Sequence, residues 1–510
     1  MLVSYYDCIS HHANRGGDRL AAVDLEGGRR LTYNDFDDRI ARLASVLRDD
    51  FRVAAGDRVA VLAPNNTDIF EVQFACGRLG AIFVPLNWRL ANPELRAILA
   101  DCAPSVLFHD QEFTGRISDL VSAVPEMRVC ASGVPDSPYE CRIAAAPRLA
   151  QPHAATLDDI AMILYTSGTT GVPKGVIVTH GMNHWNSVNG SVPCQLSASS
   201  VFLTVLPLFH TGGLNVWANP VFDAGGTVLV MRAFDAGEAL RLIGDPAVGV
   251  THFLGVPAHF QFMCQHPDFR LTDLSRLVFT GVGAAPTPDV ILSAWAEQGV
   301  VVQQAYGMTE TGPLVLLLDK RDSIRKAGCA GKPVRHTEVR VIGTDGTDAP
   351  CGTIGELWVQ GPNVTPGYWN KPDATEAVFT DGWLHTGDAA VVDAEGFYTI
   401  VDRWKDMYIS GGENVYPAEV ENVLYQCPEI AEAAVIAVAD ARWGEVGRAV
   451  VVMKPGASLS EAALIAHCAA NLARYKLPHS VWFTDALPRN ATGKVHKPTL
   501  RQQFGAHAAG

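Results

Sequence analysis

The chain has 510 residues, too many for one hydrophobic core, so at least two domains are expected. With 48% apolar and 18% charged residues it reads as a well-buried globular protein, not a disordered one. A net charge of −14 without a basic stripe argues against a nucleic-acid partner and leaves no polybasic membrane anchor. No apolar run approaches the roughly 20 residues of a bilayer span, so no integral membrane segment is expected. The first residues lack the charged start, apolar run and small-residue cleavage site of a signal peptide. Eleven scattered cysteines, with no Cys-x-x-Cys pair, disfavour structural zinc and a disulfide framework. A reducing cytoplasm is the expected location.

In chain order, Arg58 to Ala63 reads as a strand, Asp68 to Arg78 as a helix and Ala81 to Leu86 as a strand. Further strands are predicted at Thr227 to Met231, Leu277 to Thr280 and Val300 to Gln304. Strands alternating with helices predict parallel-rich α/β layers up to about residue 320. Residues 321 to 400 change character. Short strands at Glu338 to Ile342, Gly355 to Gln360 and Ala389 to Val392 sit between Gly, Pro and Asp turns, as in a small β-rich subdomain. After Asp402 a compact α+β unit is expected, with Pro417 opening a helix to about Tyr425. Strands follow near Ala433 to Val438 and Ala449 to Met453. Ser458 and Glu461 have the spacing of a capping box ahead of a helix over Ala462 to Ala473.

The most informative stretch is Thr166-Ser167-Gly168-Thr169-Thr170-Gly171-Val172-Pro173-Lys174-Gly175, a loop between two apolar, strand-like runs. Glycines let backbone N–H groups converge on one point, hydroxyls add neutral donors and Lys174 adds a cation. That inventory suits a polyphosphate. It is not a Walker A loop, because no Gly is followed directly by Lys and then Ser or Thr, and Pro173 precedes the lysine. Further along come Tyr306-Gly307-Met308-Thr309-Glu310 and Gly382-Trp383-Leu384-His385-Thr386-Gly387-Asp388. Asp402-Arg403-Trp404-Lys405-Asp406, Gly411-Gly412-Glu413-Asn414-Val415-Tyr416-Pro417 and Pro488-Arg489-Asn490-Ala491-Thr492-Gly493-Lys494 complete the set.

In this order the motifs resemble the adenylate-forming superfamily of acyl-CoA synthetases, peptide-synthetase adenylation domains and luciferases, over about Leu31 to Lys497. The resemblance implies an α/β fold. A large N-terminal domain (1–401) of layered α/β subdomains plus a β-rich subdomain would be followed by a small mobile α+β lid (402–510), hinged near 402–405. It implies a two-step ligase. A carboxylate attacks the α-phosphate of ATP to give an acyl-adenylate and pyrophosphate; a thiol, expected to be coenzyme A, then displaces AMP. Carried over residue by residue, Thr166, Ser167, Gly168, Thr169, Thr170 and Lys174 would hold the β- and γ-phosphates. Thr309 would contact the α-phosphate and Glu310 would hold Mg²⁺, a hard cation suited to carboxylate. Tyr306, with Gly307 and Met308 after it, would stack on adenine, with Gly283, Ala284 and Ala285 as the opposite wall. Asp388 would accept both ribose hydroxyls and Arg403 would donate nearby. Lys494 would neutralise the transition state of adenylation, and together with Thr166, Glu310 and His210 would make up the catalytic set. Lys405 would be the hinge, exchanging the Lys494 loop for Gly411 and Gly412, which would let the pantetheine arm of CoA pass. Tyr408 departs from the pattern: many acyl-CoA members carry Ile there.

His210, in Leu206-Pro207-Leu208-Phe209-His210-Thr211-Gly212-Gly213, would border the acyl site. By the same resemblance Gly213, Gly281, Gly307 and Met308 would contact the acyl group. The surrounding walls would come from Trp185, His210 to Trp217, Gly255 to Phe260, Gly281 to Gly283 and Met308 to Pro313. They lack an Arg or Lys, which disfavours a dicarboxylate, and the absence of a suitable Asp disfavours an amino acid. A fatty acid or a hydroxycinnamate-type aromatic acid remains. A stand-alone adenylating enzyme that loads a carrier protein stays open, as does an inactive nucleotide-binding protein. The presence of Lys494, Glu310 and Asp388 weakens the last. The resemblance leaves a homodimer open.

Overall fold

The computed structural model describes residues 3–166, 173–285, 287–403, 406–410, 413–440, 442–489 and 494–505. At Arg403, Ile409, Glu413 and Asn414 only the backbone is described. The chain divides into two compact units. The first comprises Met1–Ala327, Gly331–Glu338 and Val359–Leu384; the second comprises Gly328–Ala330, Val339–Trp358 and His385–Gly510.

Two sheets organise the first unit. A six-stranded sheet runs Arg128–Ser132, Val106–Asp110, Arg58–Leu62, Ile82–Pro85, Ile160–Thr166, Lys174–Thr179. Its first five strands are parallel and the last closes an antiparallel hairpin. A nine-stranded sheet has the order Lys332–Pro333, Leu314–Leu317, Gln303–Gly307, Phe279–Val282, His252–Gly255, Val201–Thr204, Thr227–Val230, Leu20–Asp24, Arg30–Thr32. Its six central strands, from Gln303–Gly307 to Leu20–Asp24, are parallel. The parallel layers expected from the alternation are therefore present. Their strands are buried on both faces, which is why they read as continuous apolar runs.

Two strand assignments shift. The strand expected at Leu277 to Thr280 runs Phe279–Val282, because Leu277 closes a turn onto Leu274. The strand expected at Val300 to Gln304 runs Gln303–Gly307: Gly299 is left-handed (φ 79°) and Val300 bonds back to Trp295. Val300 and Val302 are buried all the same, so their apolar character reports core packing on the approach to the strand.

The strands Glu338–Ile342 and Gly355–Gln360 form as expected, and the strand predicted at 389–392 extends back to Trp383. The C-terminal part is built on a long hairpin, Ile430–Asp440 against Gly444–Met453, with Ser480–Phe483 parallel to the second strand. The expected capping box does not form. Ser460, not Ser458, caps the Glu461–Asn471 helix by accepting from the Ala463 N–H at 3.2 Å. The Glu461 carboxylate accepts from the Val481 N–H instead, at 2.8 Å. Two serines within three residues gave the cap two candidate positions.

Tyr408 is 1% exposed and packs with Val415, Val420 and Val435. Its hydroxyl has no hydrogen-bond partner among the described residues and lies against Gly447, where a Cβ would overlap it. No helix among the described residues is long and apolar enough to cross a membrane.

Candidate active site

The hairpin of the six-stranded sheet ends with Thr166 opposite Lys174, so the strands deliver both ends of the Thr/Gly loop to one place. Ser167, Gly168, Thr169 and Thr170 lie outside the described residues. Residues 365 to 369 run alongside the hairpin's second strand. The Ile177 N–H donates to Gly367 O at 3.0 Å, Trp369 N–H to Gly175 O at 2.7 Å, and the Thr365 hydroxyl to Ile177 O at 2.6 Å. The Thr365 N–H also donates to Glu310 O at 2.8 Å, tying the Thr309–Thr311 turn to the same ribbon.

These backbone bonds assemble an array of side chains. The Lys174 ammonium lies 5.0 Å from the centroid of the Tyr368 ring, a cation–π contact. The Tyr368 hydroxyl donates to Glu310 Oε1 at 3.0 Å. Glu310 is only 7% exposed, and a buried carboxylate is costly without such a donor. Burial, and secondarily the Glu310 charge, push the Tyr368 phenol well above its usual range, so it stays a donor. Tyr368 was not singled out from the sequence. The signal was there in the turn Pro366-Gly367-Tyr368-Trp369, whose Gly367 adopts φ 143°, but its partners sit 58 and 194 positions away.

In the nine-stranded sheet the parallel strands Val201–Thr204, His252–Gly255, Phe279–Val282 and Gln303–Gly307 point the same way. Their C-terminal ends form one edge, the usual location of ligand crevices in open α/β sheets. That edge carries the segments leading to His210, Gly281 and Gly283 to Ala285, and Tyr306 to Met308. Close neighbours, backbone at Gly283 and Gly307 and side chains at Gly281, explain the glycines. A Cβ on Gly283 would sit 2.9 Å from Ala305 O, one on Gly281 2.8 Å from the Phe279 ring, and one on Gly307 would overlap Pro313 O. Ala284 is left-handed (φ 71°), a strained conformation for a residue with a side chain. Tyr306 is half-buried, Thr309 is buried, and the Met308 N–H is capped by the Thr311 hydroxyl at 3.1 Å. Gly307→Ala is expected to destabilise the first unit by about 1–3 kcal/mol, because the Gly307–Leu314 pairing has to open. Thermal unfolding checks this; an unchanged midpoint would contradict it.

His210 precedes the short Thr211–Gly213 turn, and its Nδ1 accepts from the Gly212 N–H at 3.0 Å. Gly213 approaches Pro207 O, which a Cβ would reach at 2.5 Å. The turn continues into a π-helical stretch, Leu214–Ala218, a local irregularity common at functional sites. Asn186 holds that stretch to the strand after Glu310, donating to Asn215 O at 2.7 Å and accepting from the Leu314 N–H at 3.2 Å.

The remaining residues singled out from the sequence lie in the second unit. Asp388 is 4% exposed on the Trp383–Val392 strand, directly across from Arg403 in the register. Its motif is braced by the neighbouring strand: Thr386 donates to Leu357 O at 2.7 Å, the Gly387 N–H donates to Glu356 Oε1 at 3.1 Å, and His385 stacks on Trp358 at 4.1 Å. Asp388 is thus a buried strand residue, not a solvated turn. Lys494 is half-buried; its neighbour Val495 bridges Arg489, and the His496 N–H donates to Pro488 O at 2.8 Å. Lys497 just beyond it pairs with Glu421 at 2.9 Å. Lys405, Gly411 and Gly412 lie outside the described residues.

With this geometry in place, comparison with known proteins is decisive. Residues 9–369 match the AMP-binding enzyme family, and residues 419–494 match the AMP-binding enzyme C-terminal domain. The chain belongs to the AMP-binding enzyme family. This AMP-binding enzyme is 45% identical over 489 residues to a feruloyl-CoA synthase of Amycolatopsis sp., covering 95% of this chain and 96% of that one. It is 42% identical over 481 residues to an indoleacetate–CoA ligase of Aromatoleum aromaticum, covering 93% of each. Its fold superposes, with a TM-score of 0.89 and 31% identity over the full length of both chains, on the o-succinylbenzoate CoA synthetase of Bacillus subtilis, solved with an acyl-adenylate intermediate. The family and fold expected from the motif order are therefore both established.

Proposed function

We propose that this AMP-binding enzyme is an ATP-dependent CoA ligase for an aromatic carboxylic acid. The observation that carries the chemistry is the Lys174–Tyr368–Glu310 array beside the end of the Thr166 hairpin. The near full-length likeness to ligases named for ferulate and indoleacetate favours an aromatic over a fatty acid.

In the first step a carboxylate oxygen bonds to the α-phosphorus and the bond to pyrophosphate breaks. Both reactants are anions, so the site supplies positive charge. Lys174 and the loop after Thr166 would hold the β- and γ-phosphates, Thr309 the α-phosphate, and Tyr306 with the Gly283–Ala285 backbone the adenine. Asp388 and Arg403 would take the ribose. Lys494 would offset the charge that builds on the α-phosphoryl group. In the second step the CoA sulfur attacks the acyl carbon and the bond to AMP breaks. The exchange of the Lys494 loop for Gly411 and Gly412, about a hinge at Lys405 between domains 1–401 and 402–510, belongs to the same reading.

Glu310 fits magnesium: a buried carboxylate is a hard oxygen ligand, and this ion keeps phosphates and water as its other ligands. When bound, the ion would neutralise phosphate charge. Glu310 would anchor it and Tyr368 would hold Glu310. Eleven free cysteines suit a reducing compartment, and we assign the protein to the cytoplasm.

The test is pyrophosphate release with ferulate, indoleacetate, benzoate and fatty acids, with and without CoA. Aromatic acids are expected to give a single turnover alone and sustained turnover with CoA. Turnover that ignores CoA but responds to a phosphopantetheinylated carrier protein would overturn the CoA assignment; turnover of fatty acids alone would overturn the aromatic one.

A further inference from the structure

Asp101 lies in the last turn of the Asn92–Cys102 helix, where a carboxylate opposes the helix dipole. It is fastened to two elements far away in the chain. The Tyr165 hydroxyl donates to Asp101 Oδ2 at 2.6 Å, and the Lys371 ammonium donates to Oδ1 at 3.0 Å. Asn370, left-handed at φ 53°, donates through Nδ2 to the Asp101 carbonyl at 3.1 Å. The helix end is held in turn by Arg58. Its guanidinium donates to Cys102 O at 2.6 Å and to Ala103 O at 2.9 Å, and lies 5.6 Å from the Trp369 ring centroid.

Both elements belong to the candidate active site. Tyr165 immediately precedes Thr166 on its strand and pairs with Gly175, next to Lys174. The Tyr165 ring covers that glycine, since a Cβ on Gly175 would lie 3.1 Å from Tyr165 Cζ. Asn370 and Lys371 directly follow Tyr368 and Trp369, in the ribbon whose Tyr368 hydroxyl meets Glu310. Asp101 therefore clamps the hairpin that carries Lys174 to the ribbon that carries Tyr368. Burial, then Cys102, then the bond to Asp101 push the Tyr165 phenol far above its usual range, so it stays a donor at neutral pH. The Lys371 side chain is 40% exposed, and an ion pair so open to water adds little stability. What the pair contributes is register between two segments 270 positions from each other at their anchoring residues.

We propose that Asp101 is a positioning residue for adenylate formation: by holding Tyr165 and Lys371 together it sets the Tyr368 hydroxyl against Glu310. This rests on the role given above to the Lys174–Tyr368–Glu310 array. Asp101 acts through the ribbon, as an outer partner that orients a ligand-holding carboxylate at one remove.

The experiment is a double-mutant cycle between Asp101→Ala and Tyr368→Phe, with the acid turned over fastest in the screen above. The readout is single-turnover pyrophosphate release across a magnesium titration. Asp101→Ala alone is expected to slow adenylation by about 10-fold and to raise the magnesium concentration for half-maximal rate. CoA-dependent consumption of supplied acyl-adenylate should be nearly unchanged. In the Tyr368→Phe background, where the hydroxyl is already gone, Asp101→Ala should cost no more than about 2-fold further. A loss there as large as in the wild-type background overturns the proposal, because Asp101 would then act by a route other than Tyr368. Equal losses in both half-reactions, or no loss at all, overturn it too. If Asp101→Ala does not fold, Tyr165→Phe combined with Lys371→Met cuts the same two side-chain contacts and is held to the same outcomes. A Tyr368→Phe enzyme as fast as wild type overturns the reading of the array beneath the proposal, a result distinct from additivity in the cycle.

Discussion

Lys494→Ala is expected to slow adenylate formation by about 100- to 1000-fold while thioester formation from supplied acyl-adenylate changes only a few-fold. Val495 beside the lysine bridges Arg489, and Lys497 is tied to Glu421, so removing the Lys494 side chain leaves these contacts in place. Its proposed task is confined to one transition state, where negative charge gathers on the α-phosphoryl group. The measurement is each half-reaction alone: single-turnover pyrophosphate release, then CoA-dependent consumption of synthetic adenylate. Equal losses in both halves would show that Lys494 holds the nucleotide throughout, or supports the fold, and does not act in adenylation specifically.

The second large effect is expected at Glu310. Glu310→Gln keeps an oxygen that can accept from Tyr368 but removes the charge. Adenylation should fall by about 100-fold, and the magnesium concentration needed for half-maximal rate should rise. Tyr368→Phe keeps the ring under Lys174 and removes only the hydroxyl, so its loss should be smaller, about 10-fold. A magnesium titration of both variants separates the roles. A curve for Glu310→Gln that overlays the wild type would remove Glu310 as the metal anchor, and a Tyr368→Phe loss exceeding that of Glu310→Gln would reverse the assigned order of importance.

The family was legible because its chemistry is written in short, dense motifs. A loop of hydroxyls, glycines and a lysine has few uses, and Tyr306 to Glu310 lies beside its own strand. Strands such as Glu338–Ile342 and Gly355–Gln360 were readable to the residue, since turn residues bound them closely. At Leu277 and Val300 the apolar signal began too early: burial and strand pairing share a vocabulary, and only the backbone bonds to Leu274 and Trp295 distinguish them. Tyr368 stayed hidden for another reason. Its meaning comes from the bridge to Val176 and from the bond to Glu310, both far off in sequence, and no local pattern encodes a pairing across such distances. Sheet order was out of reach on the same grounds.

The contact between Tyr408 and Gly447 has a consequence for how this chain can change over time. With tyrosine in place, any side chain at 447 collides with a phenol that is enclosed on every side. Exchanging Tyr408 for isoleucine first frees that volume and removes an unbonded hydroxyl; alanine at 447 then becomes admissible. Taken in reverse, the same two replacements pass through an overpacked intermediate. The two positions are thus joined in history as well as in space: one order of substitution is open to drift, and the other is closed.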